Sequence, residues 1–536
     1  MEGGFMDSTP QAASGSPDPA FDRTPEAGPT PLAHRYLWQP DLIVFVSSAC
    51  IMILELVAGR IIAPYVGVSL YTWTSVIGVV LAGISLGNYV GGWLADRRAS
   101  LRLLGIIFLL GGLLALGILA VDLLGGIVPG EWPIVARILV HTMALFFLPC
   151  VILGMISPIV AKLAVRDLDR TGRTVGRIYG AGTVGSIVGT FATGFLLISW
   201  FGTHVIVVGV ALVLLTLGLL FLLGGRWPLA LLTALILSGV AVLAAQSGWL
   251  RGPCTRETNY FCIKVQEQER DGEPVRILTL DRLVQSYTSL EDPTLLVYGY
   301  EQIYAEATAY RAQRDDHLRA LFVGGGGYTF PRYMEAVYPG SDIHVIEIDP
   351  GVTQVAHDYL GLSQDTEVVT YNEDARLFLE REPAGAFDLV MGDAFNDFSV
   401  PYHLTTKEFN DRVRAWLADD GLYLVNIIDG PRGDFLRAYV HTLRQTFRHV
   451  YLAPTLESWR EASRSTFVLI ASDAPLDRAA LETIDAGDGV PLLGRRILSD
   501  DEADALLAEG RVVTLTDRYA PVDQMLAPVY REEVLR

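Results

Sequence analysis

The sequence predicts a two-part chain: a multi-pass α-helical membrane domain of about seven spans, then an α/β domain with a doubly wound sheet and a small N-terminal β-hairpin region. Three observations predict it. Between about residues 41 and 247 the chain runs through apolar segments of about 20 residues, the length that crosses a bilayer. From about Glu257 short apolar strands alternate with helix-like segments. Within that half, residues 321–350 (LFVGGGGYTFPRYMEAVYPGSDIHVIEIDP) read as strand, glycine turn, helix and a second strand ending in acids.

Composition supports the division. Hydrophobic residues make up 51% of the 536, and the mean hydropathy of +0.35 is too high for an ordinary soluble protein. The net charge of −19 comes largely from the polar C-terminal half. Phosphate backbones demand basic patches, so nucleic acid is excluded as a partner. Residues 1–36, rich in Pro, Ala, Gly and Ser, predict a disordered tail. The first apolar run is too long and too late for a cleavable signal peptide. The expected domains are a tail (1–40), a membrane domain (41–247), a linker with a small β region (248–310) and the α/β domain (311–536).

The expected spans are 42–63, 71–95, 103–122, 138–163, 178–200, 205–224 and 228–246. Positive charge collects in alternate loops: Arg97, Arg98 and Arg102 after the second span, Lys162, Arg166, Arg170, Arg173 and Arg177 after the fourth, Arg226 after the sixth. That asymmetry puts the N-terminus in the cytoplasm, and seven spans then place the α/β domain outside. Glycines recur at helical spacing at Gly83, Gly87, Gly91 and at Gly182, Gly185, Gly189; close helix packing is the simpler reading, a substrate path the other. Glu55 and Arg60 are ionisable groups inside a span. They read either as a structural ion pair, with Arg60 snorkelling to the interface, or as a polar membrane site together with His141. The segment GGWLADRR (91–98) and the long basic loop after the fourth span resemble half of a major-facilitator transporter.

Cys50 and Cys150 lie in spans and are expected to be inert. Cys254 and Cys262 are eight apart, just after the last span. Outside the cell they are expected as a disulfide closing a small loop, in the cytoplasm as free thiols. No His or Cys pair follows at ligand spacing, so no metal is expected.

In the polar half, 260–265 and 275–280 read as the hairpin, turning at DGEP. Segments 320–324, 343–348, 367–371, 387–392 and 421–428 read as strands with helices between. The ligand site of such a sheet lies at the carboxyl ends of its strands. There the side-chain-free turn from Gly324 to Gly327 lets backbone approach a ligand, and an acid closing the next strand, Glu347 or Asp349, can hold a ribose diol.

These residues resemble the polyamine aminopropyltransferases, spermidine synthase above all, and in particular a membrane-fused spermidine synthase-like group. The likeness covers most of 257–450, with an echo at TDRYAPVD (516–523). It implies a Rossmann-like sheet of the methyltransferase type. Gly324, Gly325 and Gly326 match the family's glycine turn, Glu347 the acid on the ribose hydroxyls, and Asp374 in NEDAR the element reading the adenine amino group. Gln285 and the Tyr300–Glu301 pair match the residues that follow the family's hairpin, and Asp393 matches its catalytic aspartate. By this resemblance Gly324–Gly326, Gln285, Glu347, Asp349 and Asp374 bind the nucleoside co-substrate, decarboxylated S-adenosylmethionine or S-adenosylmethionine. Tyr300, Glu301 and Asp397 bind the acceptor, a putrescine-like amine. An attacking amine must be neutral, and a carboxylate beside it takes its proton, the role expected of Asp393. The simpler readings are turn caps for Asp393 and Asp374, an aromatic cluster for Tyr298, Tyr300 and Tyr304, and a loop or capping role for His403.

The sequence departs from the family at Gly327, where an aspartate normally follows the three glycines and holds the aminopropyl amine, and at 393–397, DAFND. Both changes alter charge that would recognise the decarboxylated donor, so intact S-adenosylmethionine stays an alternative. Two other readings stay open: a transporter with a nucleoside- or polyamine-binding regulatory domain, and an S-adenosylmethionine-dependent methyltransferase. The bilayer is an expected partner, and a homo-oligomer is left open.

Overall fold

The computed structural model describes residues 39–129, 132–224, 227–248, 252–270, 272–383, 385–394, 400–486 and 491–532. Nearly all of the expected tail (1–40), and Asp397, lie outside the described residues.

Six helices are long and apolar enough to cross a membrane: α1 (Pro40–Val66), α2 (Leu70–Arg98), α3 (Leu101–Ala120), α4 (Ile134–Ala164), α5 (Leu168–Trp200) and α6 (Thr203–Leu222). A further helix, α7 (Trp227–Gln246), stands where the seventh span was expected. Its continuously described apolar run, Leu235–Ala244, is too short by itself for a bilayer about 30 Å thick. The described residues thus carry six candidate spans against the expected seven. Polar residues punctuate the apolar runs: Ser69 and Ser100 cap α2 and α3 by accepting the amides of Thr72 and Leu103.

The glycine faces are packing faces. A Cβ on Gly87 would stand 3.0 Å from the Gly154 Cα of α4, and one on Gly189 would stand 2.9 Å from the Ala49 Cα of α1. Asp96, in the last turn of α2 within the transporter-like segment, pairs with Lys162 near the end of α4 at 2.9 Å, so both residues lie on helices and not in loops.

The pairing of Glu55 with Arg60 is absent. Arg60 turns out of α1 and donates to the carbonyls of Thr258 and Asn259 in the segment after α7, the latter at 2.5 Å. His141 joins neither; its Nδ1 lies 2.7 Å from the Arg137 carbonyl oxygen.

Beyond α7, Cys254 and Cys262 form a disulfide. Four antiparallel strands follow in chain order: β1 (Arg256–Glu257), β2 (Cys262–Arg270), β3 (Glu273–Leu280) and β4 (Leu283–Ser289). β2 and β3 pair from Ile263↔Leu280 to Arg270↔Glu273, so the two strands adjoining DGEP are longer than 260–265 and 275–280. Helix α8 (Gly299–Ala312) leads into the large sheet.

That sheet has seven strands: β5 (Arg319–Val323), β6 (Asp342–Ile346), β7 (Val369–Tyr371), β8 (Phe387–Gly392), β9 (Leu417–Asp429), β10 (His449–Pro454) and β11 (Ser465–Ser472), in the order β10-β11-β9-β8-β5-β6-β7. The five expected strands are its parallel part. β10 and β11 add an antiparallel edge, β11 pairing with β9 and β10 with β11. Helices α9 (Thr329–Val337), α10 (Pro350–Tyr359), α11 (Ala375–Leu379), α12 (Lys407–Trp416) and α13 (Asp434–Leu443) belong to the same domain. Leu321, Val345, Leu389, Leu424 and Leu469 are fully buried, as strands sandwiched between helices must be.

Candidate active site

The chain leaves β5 for β6 on one side and returns to β8 on the other, so the strand order reverses at the carboxyl end of β5. Such a switch point opens a crevice for a ligand. The glycine turn and Asp393 meet there. Gly324 has φ 100°, and a Cβ on it would stand 2.5 Å from the Asp393 carbonyl oxygen. Asp393 N–H donates to Val323 and Gly324 N–H to Ile346, both at 2.9 Å, which knits the ends of β8, β5 and β6 together. Tyr328 closes the turn in left-handed geometry, φ 55°, with its hydroxyl 3.0 Å from the Thr353 Oγ1 and 3.2 Å from the Thr370 Oγ1.

A cavity opens on this turn. Gly324, Gly326, Gln285, Glu347, Asp374 and Asp393 line it. Glu347 is buried; its Oε2 accepts Gly325 N–H at 2.8 Å and its Oε1 accepts Asp349 N–H at 2.9 Å. Burial pushes its carboxyl up from the ordinary value, against these two hydrogen bonds. The Asp374 Oδ1 accepts Arg376 N–H at 2.9 Å and caps α11, while its Oδ2 lies 3.2 Å from the His403 Nε2. Arg376 in turn forms a two-pronged pair with Asp517, at 2.7 and 2.5 Å, so the TDRYAPVD segment braces this wall.

Asp349 stands apart from the cavity lining. Its carboxylate caps α10 through Gly351 N–H at 2.8 Å and accepts the Thr258 hydroxyl at 2.5 Å. It is a clasp between the sheet and the segment after α7.

Asp393 separates this cavity from a second one and lines both. The Tyr300 hydroxyl donates to its Oδ2 at 2.9 Å and Asn426 Nδ2 to its Oδ1 at 2.8 Å. Burial raises the Asp393 carboxyl, and the bonds from Asn426 and Tyr300 oppose that rise. Gln285 and Tyr300 also line the second cavity. Glu301 lines neither; it is buried at the start of α8, where it accepts Tyr298 N–H at 3.2 Å, and burial pushes its carboxyl up to about 8. Among the described residues no cluster of His, Cys, Asp and Glu is arranged to hold a metal.

Several residues here escape sequence reasoning. Asn426 carries one signal, a lone amide in the apolar run LYLVNIID. Tyr260 and Phe261, from the disulfide-closed segment, form part of the first cavity's wall, and His403 joins them. Arg282 and Arg464 line the second cavity with no local pattern to mark them.

A probable polyamine aminopropyl transferase of Bifidobacterium longum is 31% identical over 146 residues, 27% of this chain and 32% of that protein. Polyamine aminopropyltransferase 2 of Streptomyces coelicolor is 28% identical over 412 residues, 72% of each protein. The chain's likeness is to the polyamine aminopropyltransferases. The Streptomyces match is longer than the α/β half, so it reaches into the apolar helices, whereas the Bifidobacterium match spans about a third of that relative's length. A probable spermidine synthase of Corynebacterium glutamicum, a solved structure, covers 47% of this chain and 93% of its own at 20% identity, with a TM-score of 0.41. No family model matches.

Proposed function

We propose that this chain is a membrane-bound transferase of the spermidine synthase kind, moving an aminopropyl group from a decarboxylated S-adenosylmethionine-type donor to an amine. The observation that carries the reading is Asp393. It sits at the switch point between two cavities, one bordered by the glycine turn and Glu347, the other by Tyr300. The first cavity takes the nucleoside: Glu347 receives the ribose hydroxyls, Asp374 lies toward the base, and backbone approaches at Gly324 and Gly326. The acceptor enters from the Tyr300 side.

In the reaction the amine's lone pair attacks the propyl carbon next to the sulfonium. The carbon–sulfur bond breaks, its electron pair stays on sulfur, and methylthioadenosine leaves as a neutral thioether. The new ammonium gives its proton to Asp393, which the Tyr300 and Asn426 hydrogen bonds orient and whose ionised form they favour against burial. No oxyanion forms, so no oxyanion hole is needed.

The reading divides the chain into a tail (1–40), a membrane domain (41–247), a linker (248–310) and a catalytic domain (311–536). We place the catalytic domain outside. A crossing by α7 makes the span count odd, and the Cys254–Cys262 disulfide suits an oxidising compartment. An impermeant thiol reagent should then label these cysteines in intact cells after reduction.

The test of function is incubation of the detergent-purified chain with donor and an amine panel, reading methylthioadenosine and product by mass spectrometry. Failure to bind methylthioadenosine would sink the reading. Gly327 favours a second reading, because it leaves the turn without a carboxylate for the aminopropyl ammonium. In that case S-adenosylmethionine is the donor and a methyl group moves; product mass separates the two.

A further inference from the structure

Asp374 and His403 meet on the wall of the first cavity, and both line it. One oxygen of the acid is given to the backbone: Oδ1 accepts Leu377 N–H at 3.2 Å as well as Arg376 N–H, which caps α11. The other, Oδ2, lies 3.2 Å from the His403 Nε2. The histidine is held from its backbone too. Its carbonyl accepts the Arg376 guanidinium at 2.9 Å, and that guanidinium is paired with Asp517. The capping acid, the imidazole and the TDRYAPVD segment therefore make one bracket, which fixes the histidine on the cavity wall.

A carboxylate only accepts hydrogen bonds, so Nε2 is the donor to Oδ2. In the neutral ring that leaves Nδ1 without a proton, as an acceptor. A carboxylate oxygen has two lone pairs, so Oδ2 can accept a second hydrogen besides that of His403. The bracket can thus present two acceptors to one ligand group. An amino group on an aromatic base carries two N–H donors and satisfies both. An oxo group in its place sets an acceptor against acceptors. Resting on the nucleoside-binding part of the reading above, we propose that His403 is a base-specificity residue: its Nδ1 and the Asp374 Oδ2 together take the two hydrogens of the adenine amino group. The pair, and not the acid alone, separates amino purines from oxo purines.

The test is calorimetric binding of methylthioadenosine and methylthioinosine to the full chain in detergent, which reads the base and needs no turnover. The wild type is expected to favour methylthioadenosine by about 100-fold or more. His403→Phe keeps an aromatic ring without nitrogens and should lower that ratio by about tenfold. His403→Leu, a second variant without nitrogens, is held to the same loss. His403→Gln can donate to Asp374 and still offer an oxygen, so it should retain most of the ratio. Both ligands are measured on one sample, so a partly misfolded variant loses binding capacity and keeps its ratio. The proposal is overturned if the wild type binds the two ligands equally, or if the nitrogen-free variants keep the wild-type ratio. It is overturned too if His403→Gln falls as far as His403→Phe, which would reduce the histidine to its shape. A wild type that binds neither ligand overturns the nucleoside reading itself.

Discussion

A Cβ on Gly327 would stand 2.7 Å from the Ser286 Cβ and overlap the Ser286 hydroxyl oxygen. Gly327 is therefore fixed by the close approach of the turn to β4, not by its backbone angle, which is not in the left-handed region. The departure from the family pattern at this position is a packing relationship with a buried serine. An aspartate restored here has no room.

Gly327→Asp should accordingly lower stability by about 1–3 kcal/mol, the usual cost of overpacking a filled site. It should also weaken methylthioadenosine binding rather than improve turnover. Ser286→Gly introduced beside it should recover part of the thermal midpoint. An unshifted midpoint in the single variant would show that β4 yields, and that the glycine has another cause.

Asp393→Asn should cost about 100-fold or more in turnover, the range for loss of a general base, with methylthioadenosine binding spared. Tyr300→Phe tests the electrostatics. The Tyr300 hydroxyl favours the ionised form of Asp393, so removing it lets burial push the carboxyl further up. The acidic limb of the kcat/KM profile should then move to higher pH. A limb that stays in place would separate Asp393 from the proton transfer.

The division into apolar and α/β halves was legible because run length and strand alternation are local properties. The glycine turn and the acids Glu347, Asp374 and Asp393 were legible because each follows a strand, where sites of this sheet collect. The antiparallel edge was not, since an apolar strand reads alike in either direction; β10 and β11 take theirs from partners in the sheet. Arg60 invited pairing with Glu55 five residues away, yet its carbonyl partner at Thr258 lies 198 residues on. Asp349 read as a ligand residue by its place after Glu347, but its carboxylate is taken by Gly351 and Thr258. Arg464 and Asn426 reach the site only through tertiary packing.

Glu301 offers a stability test independent of activity. The folded chain holds its proton up to about pH 8, whereas the unfolded chain releases it in the ordinary glutamate range. Stability should fall as pH rises through that window, by up to about 1.4 kcal/mol per pH unit. Glu301→Gln keeps an acceptor for Tyr298 N–H and has no proton to lose. Its thermal midpoint should lie close to the wild type near pH 5 and above it near pH 9. Parallel pH curves for the two proteins would show that Glu301 ionises normally in the fold.

The apolar helical half reaches the cavity beside the glycine turn through four residues. Arg60 donates to the Thr258 carbonyl, the Thr258 hydroxyl donates to Asp349, and Asp349 N–H donates to Glu347, which lines the cavity. The same segment carries Tyr260 and Phe261 to the cavity wall. Cutting a charged hydrogen bond at the head of this chain should weaken methylthioadenosine binding in Arg60→Ala by about tenfold, which is about 1.4 kcal/mol and close to the low end of what such a bond contributes. Glu55→Gln should leave binding unchanged, because Glu55 makes no pair with Arg60. Thr258→Ala should weaken binding too. The double variant should lose less than the sum of the two singles, since both act through one contact series. Additive losses would mean that Arg60 and Thr258 act separately. Unchanged binding in Arg60→Ala would make the apolar helical half a tether with no energetic hold on the site.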